Sequence, residues 1–369
     1  MVDIGSSAML VLASLFLMFS LSHAQNNILL RLEPDVEECE CIPLETCEPL
    51  QLLLQDKTLE NLKILQEATC GFSGINPKVC CPEPPPIEPR TSLLPRYCGQ
   101  PALTNFRVHG GKEVPLGQYP WMALIGYTDS RDRDPNKIDY HCGGSVINDR
   151  YVLTAAHCVT DLGFKTLSTV KLGDWDLSTK VDCDDGICLP IPLVYRPEHV
   201  IIHPEYNKRS SFSDDIAIIR LDDSVNIGDS SFIHAVCLPP TNMDTRRVAQ
   251  SAHRNNREFS VAGWGVTENG TVSQKLLEVE LPLQDDSLCN ATYHGRVVPG
   301  QLCAGGRLGE DSCQGDSGGP LILPGPSGPP YLQVGVVSFG PPQCGMENFP
   351  GVYTEVSKYR VWIENSLEA

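Results

Sequence analysis

The chain has 369 residues, which leaves room for more than one domain. Hydrophobic residues make up 41% and charged residues 20%, as in a soluble globular protein, and a formal net charge of −18 argues against a nucleic-acid or anionic-membrane partner and favours cationic targets. The 16 cysteines, an even number, point to a fully paired disulfide set and an oxidising compartment.

The N-terminus agrees with that compartment. Ala8 to Leu21 is a nearly continuous apolar run that ends in Ser22-His23-Ala24 before Gln25. It is shorter than the roughly 20 residues a membrane span needs. Its small-x-small end looks like a signal-peptidase site, so residues 1–24 are expected to be a secretory signal, although Asp3 stands where a positive residue is usual. A core helix or a membrane anchor is the alternative. Residues 25–38 form an acidic segment with Glu33, Asp35, Glu37 and Glu38 close together.

Cys39, Cys41, Cys47, Cys70, Cys80 and Cys81 then cluster. A segment this short cannot bury a large core, so cross-links are expected to hold it. Zinc is the other reading, and the missing paired Cys-x-x-Cys spacing argues against it. The leucine-rich stretch from Leu50 to Leu65 is expected to give one short helix. Six cysteines ending in Val79-Cys80-Cys81-Pro82 resemble the clip domain of arthropod serine proteases, over residues 39–82. The resemblance implies the pairs Cys39–Cys80, Cys41–Cys70 and Cys47–Cys81. The short gap in Cys39-Glu40-Cys41 departs from the family pattern.

Residues 83–107 read as a proline-rich linker and activation segment, because prolines fix φ and give an extended spacer. It ends in Asn105-Phe106-Arg107-Val108-His109-Gly110-Gly111, which resembles the activation site of a protease zymogen, cut between Arg107 and Val108. His109 stands where the family has an aliphatic residue. From Val108 onward the pattern is all-β: short strands such as Val152-Leu153-Thr154 and Gln333 to Ser338 alternate with Gly, Pro, Asn and Asp turns. Only the C-terminus looks helical, with Ser357 as a cap and Tyr359, Trp362, Ile363 and Leu367 at helical spacing.

The chemistry centres on Asp311-Ser-Cys-Gln-Gly-Asp-Ser-Gly-Gly-Pro320. Ser317 lies among glycines, which let the backbone bend tightly and let a substrate carbonyl reach main-chain N–H groups. A serine is inert at its free pKa and needs a base. A histidine in Thr154-Ala-Ala-His157-Cys158 and a carboxylate in Asp215-Ile-Ala-Ile-Ile lie upstream, with Asp214 as a neighbouring candidate. In the order His157, Asp215, Ser317 these motifs resemble the chymotrypsin-like serine proteases. The resemblance covers residues 108–369 and implies two six-stranded β-barrels, with the active site between them, followed by a terminal helix.

The same resemblance assigns further roles. The N–H groups of Gly315 and Ser317 would form the oxyanion hole. Asp311 would floor the primary pocket, with Gly340 and Gly351 as its open walls and Ser338 offering main chain to the substrate, so the pocket would take Arg or Lys. Phe339 replaces the family's usual Trp. After cleavage the new amino group of Val108 would pair with Asp316. The expected bridges are Cys142–Cys158, Cys289–Cys303 and Cys313–Cys344, with Cys183–Cys188 inside a loop and Cys98–Cys237 as a tether. Asp174, Asp176, Thr179 and Asp182 resemble the calcium loop of some members, a solvated acidic loop being the alternative. Catalysis needs no cofactor. Asn269 and Asn290 open N-x-Thr glycosylation sequons.

These readings converge on a secreted zymogen of a trypsin-like endopeptidase, extracellular in hemolymph. An upstream protease would activate it, a downstream pro-protein in melanization or a pro-cytokine pathway would be its substrate, and serpins would inhibit it. Developmental or coagulation roles are equally open. A silent homologue acting as a cascade cofactor would lack the serine, and a digestive trypsin would lack the clip segment.

Overall fold

A computed structural model describes residues 41–47, 50, 59–74, 76–81, 92–103, 113–228, 232–267, 269–341 and 343–368. The chain divides into two compact units, Met1–Arg90 and Thr91–Ala369. The expected signal and acidic segments, most of the proline-rich linker, Cys39, Arg107 and Val108 lie outside the described residues.

In the first unit β1 (Cys41–Pro43), α1 (Leu59–Ala68), β2 (Thr69–Ser73) and β3 (Asn76–Cys80) follow in chain order. The strands form an antiparallel sheet in the order β1-β3-β2. The helix runs three residues past Leu65, and Thr69 Oγ1 closes it by donating to the Leu65 carbonyl at 2.7 Å. Among the described residues only Cys47, Leu50, Leu65, Ala68 and Val79 make up the buried core. So small a core stabilises weakly, and the expected bridges Cys41–Cys70 and Cys47–Cys81 are present to constrain the unfolded chain instead. Cys80 is disulfide-bonded as well.

The second unit opens with β4 (Met122–Asp129), β5 (Asp139–Val146), β6 (Tyr151–Thr154), β7 (Lys165–Leu172), β8 (Cys183–Asp184), β9 (Ile187–Cys188), β10 (Leu193–Tyr195), β11 (Pro197–Ile202) and β12 (Ala217–Leu221). After α2 (Thr245–His253) come β13 (Phe259–Gly263), β14 (Leu277–Leu281), α3 (Asp286–Thr292), β15 (Gln301–Gly305), β16 (Pro320–Gly325), β17 (Gly328–Phe339), β18 (Pro350–Glu355) and α4 (Val356–Ser366). One sheet has the order β10-β7-β4-β5-β6-β12-β11 and the other β14-β13-β16-β17-β18-β15. The first therefore has seven strands rather than the expected six. The addition is the short edge strand β10, which pairs Leu193 with Leu172 of β7 just after the Cys183–Cys188 hairpin.

Two helices were absent from the sequence reading. α2 is capped by Asp244, which accepts from the Arg247 N–H, and α3 by Asp285, which accepts from the Ser287 N–H. Both are too short for an apolar period to stand out. The terminal helix α4 begins two residues earlier than expected. Its N-cap is Glu355 with no side-chain cap, and Ser357 donates to Glu355 Oε1 instead of capping. Tyr359 and Ile363 bury the predicted face, and Leu367 is buried just past the helix end.

Candidate active site

His157 follows directly from the end of β6. It sits in a single 3₁₀ turn, Ala156–Cys158, and Cys142–Cys158 ties that turn back to β5. Asp215 precedes β12 and is fully buried. Its Oδ2 lies 2.7 Å from His157 Nδ1, and its Oδ1 accepts the His157 backbone N–H at 2.9 Å. Ser338 Oγ donates to the same Oδ2 at 2.5 Å, and Thr354 Oγ1 donates to the Asp215 carbonyl at 2.8 Å. A buried carboxylate with this many donors holds the imidazole by Nδ1 and leaves Nε2 free to act as a base.

The rival carboxylate faces elsewhere. Asp214, at φ +53°, accepts a two-pronged hydrogen bond from Arg209 at 2.8 and 3.0 Å and one from Tyr359 OH at 3.0 Å. These donors hold its carboxyl below the usual range against the upward push of burial. Asp215, not Asp214, is therefore the partner of His157.

Ser317 lies on the loop between β15 and β16. Its carbonyl accepts from the Gly143 N–H at 2.7 Å, which pins the loop to β5 near His157. Among the described residues Ser317 Oγ makes no hydrogen bond to His157, as is common before substrate closes such a site. Gly315 has φ +104°, and a Cβ there would meet Gly265 Cα at 2.9 Å; a Cβ on Gly318, at φ +78°, would meet Thr154 Oγ1 at 2.3 Å. Only glycine fits on either side of the serine. The N–H groups of Gly315 and Ser317 donate to no described residue, whereas Asp316, Gly318 and Gly319 are all committed to backbone carbonyls.

Asp316 turns its carboxylate inward. Gly265 and Cys313 donate backbone N–H groups to it, both at 2.9 Å, and no described cation pairs with it. Burial pushes its pKa up to about 6 against those two donors. Asp311 is raised to about 6 for the same reason, although Gly345 donates to its Oδ2 at 3.3 Å. Its Oδ1 is shielded and has no hydrogen-bond partner. That oxygen lies 3.3 Å from where a Cβ on Gly351 would be, and a Cβ on Gly340 would meet only Gly351 Cα at 4.0 Å. The Gly340 side is therefore open, whereas a side chain on Gly351 would crowd Tyr353 OH at 3.0 Å and the unpaired Asp311 oxygen, so glycine there keeps the approach to that oxygen clear. Cys313–Cys344 clamps the loops of this slot.

The sequence reading missed an aromatic wall beside His157. Phe212, at φ +60°, stands edge-on to the imidazole at 5.6 Å and packs on Phe339 at 5.5 Å, and Phe339 packs on Tyr293 at 5.4 Å. A loop, the end of β17 and the C-cap of α3 supply these rings, so no local pattern signals them.

The remaining expected groups are placed as follows. Asp174, Asp176 and Asp182 are nearly buried. Asp174 is paired with Lys171, and burial raises its pKa, with the Asp182 charge adding to the effect. Asp182 accepts from the Trp175 N–H and from Thr179 Oγ1, and the carboxylate oxygens do not gather within 4.8 Å of one another. Asn269 is exposed on a hairpin tip and Asn290 on α3. Cys98–Cys237 and Cys289–Cys303 are both formed.

Comparison with known proteins places this geometry. The family described as Trypsin matches residues 108–363, and the family described as Regulatory CLIP domain of proteinases matches residues 32–81. CLIP domain-containing serine protease B4 of Anopheles gambiae is 40% identical over 90% of this chain and 91% of its own length. Melanization protease 1 of Drosophila melanogaster is 40% identical over 91% and 92%. Phenoloxidase-activating enzyme 1 of Spodoptera litura is 36% identical over 90% and 92%. The solved structure of the Drosophila Grass clip serine protease of the Toll pathway superposes with a TM-score of 0.61 at 33% identity, covering 89% of this chain and 94% of that one.

Proposed function

The chain belongs to the clip-domain serine proteases, a trypsin-type endopeptidase domain behind an N-terminal clip domain, and from that premise we propose that it is the secreted zymogen of an enzyme that cleaves after Arg or Lys to activate a pro-protein in an extracellular melanization cascade. One observation carries the specificity: the unpaired Asp311 oxygen at the end of a slot walled by Gly340 and Gly351. An arginine or lysine head group supplies the donors that this oxygen lacks. The names of the melanization and phenoloxidase-activating relatives support the cascade. An upstream protease as activator and serpins as inhibitors follow from the same reading. Among the described residues no helix is long and apolar enough to cross a membrane.

Ser317 Oγ attacks the scissile carbonyl while His157 Nε2 takes its proton and passes it to the leaving amine. Asp215 holds the imidazole and stabilises the imidazolium. The free N–H groups of Gly315 and Ser317 receive the oxyanion. Activation is cleavage between Arg107 and Val108. The new ammonium of Val108 pairs with Asp316 and fixes the Gly315–Ser317 backbone. Measuring hydrolysis of Arg, Lys, Phe and Ala substrates by the cleaved chain tests the reading. Preference for Phe would overturn it.

A structural calcium in the loop from Asp174 to Asp182 is proposed on charge, the three carboxylates having to draw together around the ion because they do not gather within 4.8 Å of one another as placed. All three are nearly buried, Lys171 pairs with Asp174, and the ammonium of Lys275 is given to Glu113. A divalent ion would neutralise the remaining charge, with Asp174, Asp176 and Asp182 as ligands and Thr179 beside them. Calcium should then raise the Tm, and Asp174→Ala with Asp182→Ala should remove that rise. No shift between calcium and chelator would favour the solvated loop. Glycans on Asn269 and Asn290 are part of the same proposal, since both side chains face solvent.

A further inference from the structure

The strap that enters the catalytic unit carries another arginine in a substrate-like setting. Leu94-Pro95-Arg96-Tyr97 runs without regular structure between Ser92 and Gly99. Arg96 is exposed, and Tyr97 is 54% exposed with its ring edge-on to His234 at 6.3 Å. Pro95, Arg96, Tyr97 and Cys98 make no backbone hydrogen bond among the described residues. The strap also borders a hollow: Leu94, Pro95 and Arg96 line an open pocket of about 270 Å³ together with Ile147 and Val236. A segment beside an open pocket loses little packing when it lifts into an extended, cleavable form.

Its two ends are held very differently. Upstream, among the described residues, two long, weak hydrogen bonds tie the strap to the body of the unit, Ser92 Oγ to Glu364 at 3.3 Å and Asn148 Nδ2 to the Leu93 carbonyl at 3.4 Å, with a local one from the Leu94 N–H to Ser92 Oγ at 3.3 Å and the partial packing of Leu94. Downstream, Gly99 donates to the Ala235 carbonyl at 2.7 Å and accepts from Tyr331 at 2.8 Å, and Cys98 is bonded to Cys237. The disulfides Cys41–Cys70 and Cys47–Cys81 close within the first unit, and Cys39 and Cys80 also lie upstream of Arg96. No cross-link therefore spans from before Arg96 to the catalytic unit.

We propose that the Arg96–Tyr97 bond is a second processing site for an Arg-specific endopeptidase, and that its hydrolysis releases the clip domain from the tethered catalytic domain. Water adds across the broken C–N bond, leaving a carboxylate on Arg96 and an amine on Tyr97. A cut after Arg107 alone keeps the clip domain attached through Cys98, whereas the additional cut leaves only Tyr97 to Arg107 on that bridge. The module set free matches the family described as regulatory. The inference rests on the proposed Arg specificity only in that this enzyme would itself belong to the class able to make the cut.

The full-length Ser317→Ala chain, digested with a trace of pancreatic trypsin and followed without reductant, tests the site. An N-terminus at Tyr97 should appear alongside Val108, and a clip fragment ending at Arg96 should separate without reductant. Arg96→Gln should slow that separation about tenfold while Val108 appears at an unchanged rate, since cleavage tracks local opening at the cut segment. Clip release that instead exposes Thr91, or that proceeds as fast in Arg96→Gln, overturns the proposal. So does a clip domain that stays attached until the catalytic unit is degraded. Hydrolysis of a small Arg substrate by the Arg107-cleaved wild type reports separately on the proposed activity.

Discussion

Asp311 and Asp316 carry the same group and the same upward shift, to about 6, for different ends. Both are raised by burial, so the fold favours their protonated forms. For a carboxylate with folded pKa above its unfolded value, the stabilising contribution is full below the unfolded pKa. It is lost as pH rises through about 6, and each such shift of roughly two units costs about 3 kcal/mol at neutral pH. At Asp311 a bound cation offsets that cost. The affinity of benzamidine, a guanidinium mimic, should therefore be high at pH 8 and fall as pH drops through about 6. A flat titration between pH 8 and 5 would remove Asp311 as the partner. Asp311→Ser should lower kcat/KM for Arg substrates by about three orders of magnitude while leaving Ala substrates little changed. Ser317→Ala or His157→Ala should each lose several orders of magnitude in kcat, as members of one unit do.

One loop does more for the site than its irregular sequence suggests. Between Tyr206 and Asp215 the chain takes positive φ at Asn207, Phe212 and Asp214, none of them glycine. Such strain persists only where neighbours hold it. Here Asn207 Oδ1 accepts from the Phe212 N–H, Gln301 Nε2 donates to the Phe212 carbonyl, and Arg209 grips Asp214 while also donating to the Pro299 carbonyl. Arg209 is thus a positioning residue for Asp215. Arg209→Ala should lower kcat about tenfold or more with little change in KM, and Arg209→Lys, which keeps the charge but not the fork, should recover part of it. Equal losses in both variants, matched only by a fall in Tm, would assign Arg209 to stability alone. None of this was legible beforehand, because the partners at 299, 301 and 359 are remote in sequence. The strands were legible from alternation and turn residues. The helices α2 and α3 were not, although Asp244 and Asp285 stood ready as caps.

At the scale of the molecule, the Cys98–Cys237 bridge and the proposed cleavage after Arg107 predict a two-chain enzyme. The chain cut only at Arg107 should run as one band without reductant and two with it. Arg107→Gln should fold and remain inactive toward Arg substrates under tryptic activators, and full activity in that uncut protein would refute activation by insertion. Cleavage should also raise the Tm, and more at pH 8 than at pH 5. Asp316 is ionised and uncompensated in the intact chain only above about pH 6, where the Val108 ammonium has a charge to pair with. An equal gain at both pH values would show that another contact stabilises the cut form.

The chemical groups of the proposed site were legible in local motifs. His157, Asp215, Ser317 and Asp311 stand in short motifs whose residue types the proposed reaction demands, and seven of the eight expected disulfides are formed, the eighth involving Cys39, which lies outside the described residues. Only the tertiary structure decided which carboxylate serves His157, since Asp214 and Asp215 are chemically identical neighbours until Arg209 and Tyr359 claim one of them. It alone also built the Phe212–Phe339–Tyr293 wall, left Asp311 Oδ1 unpaired and opened the hollow beside Arg96. These features depend on contacts between distant segments, and a local pattern carries no record of which segments will meet.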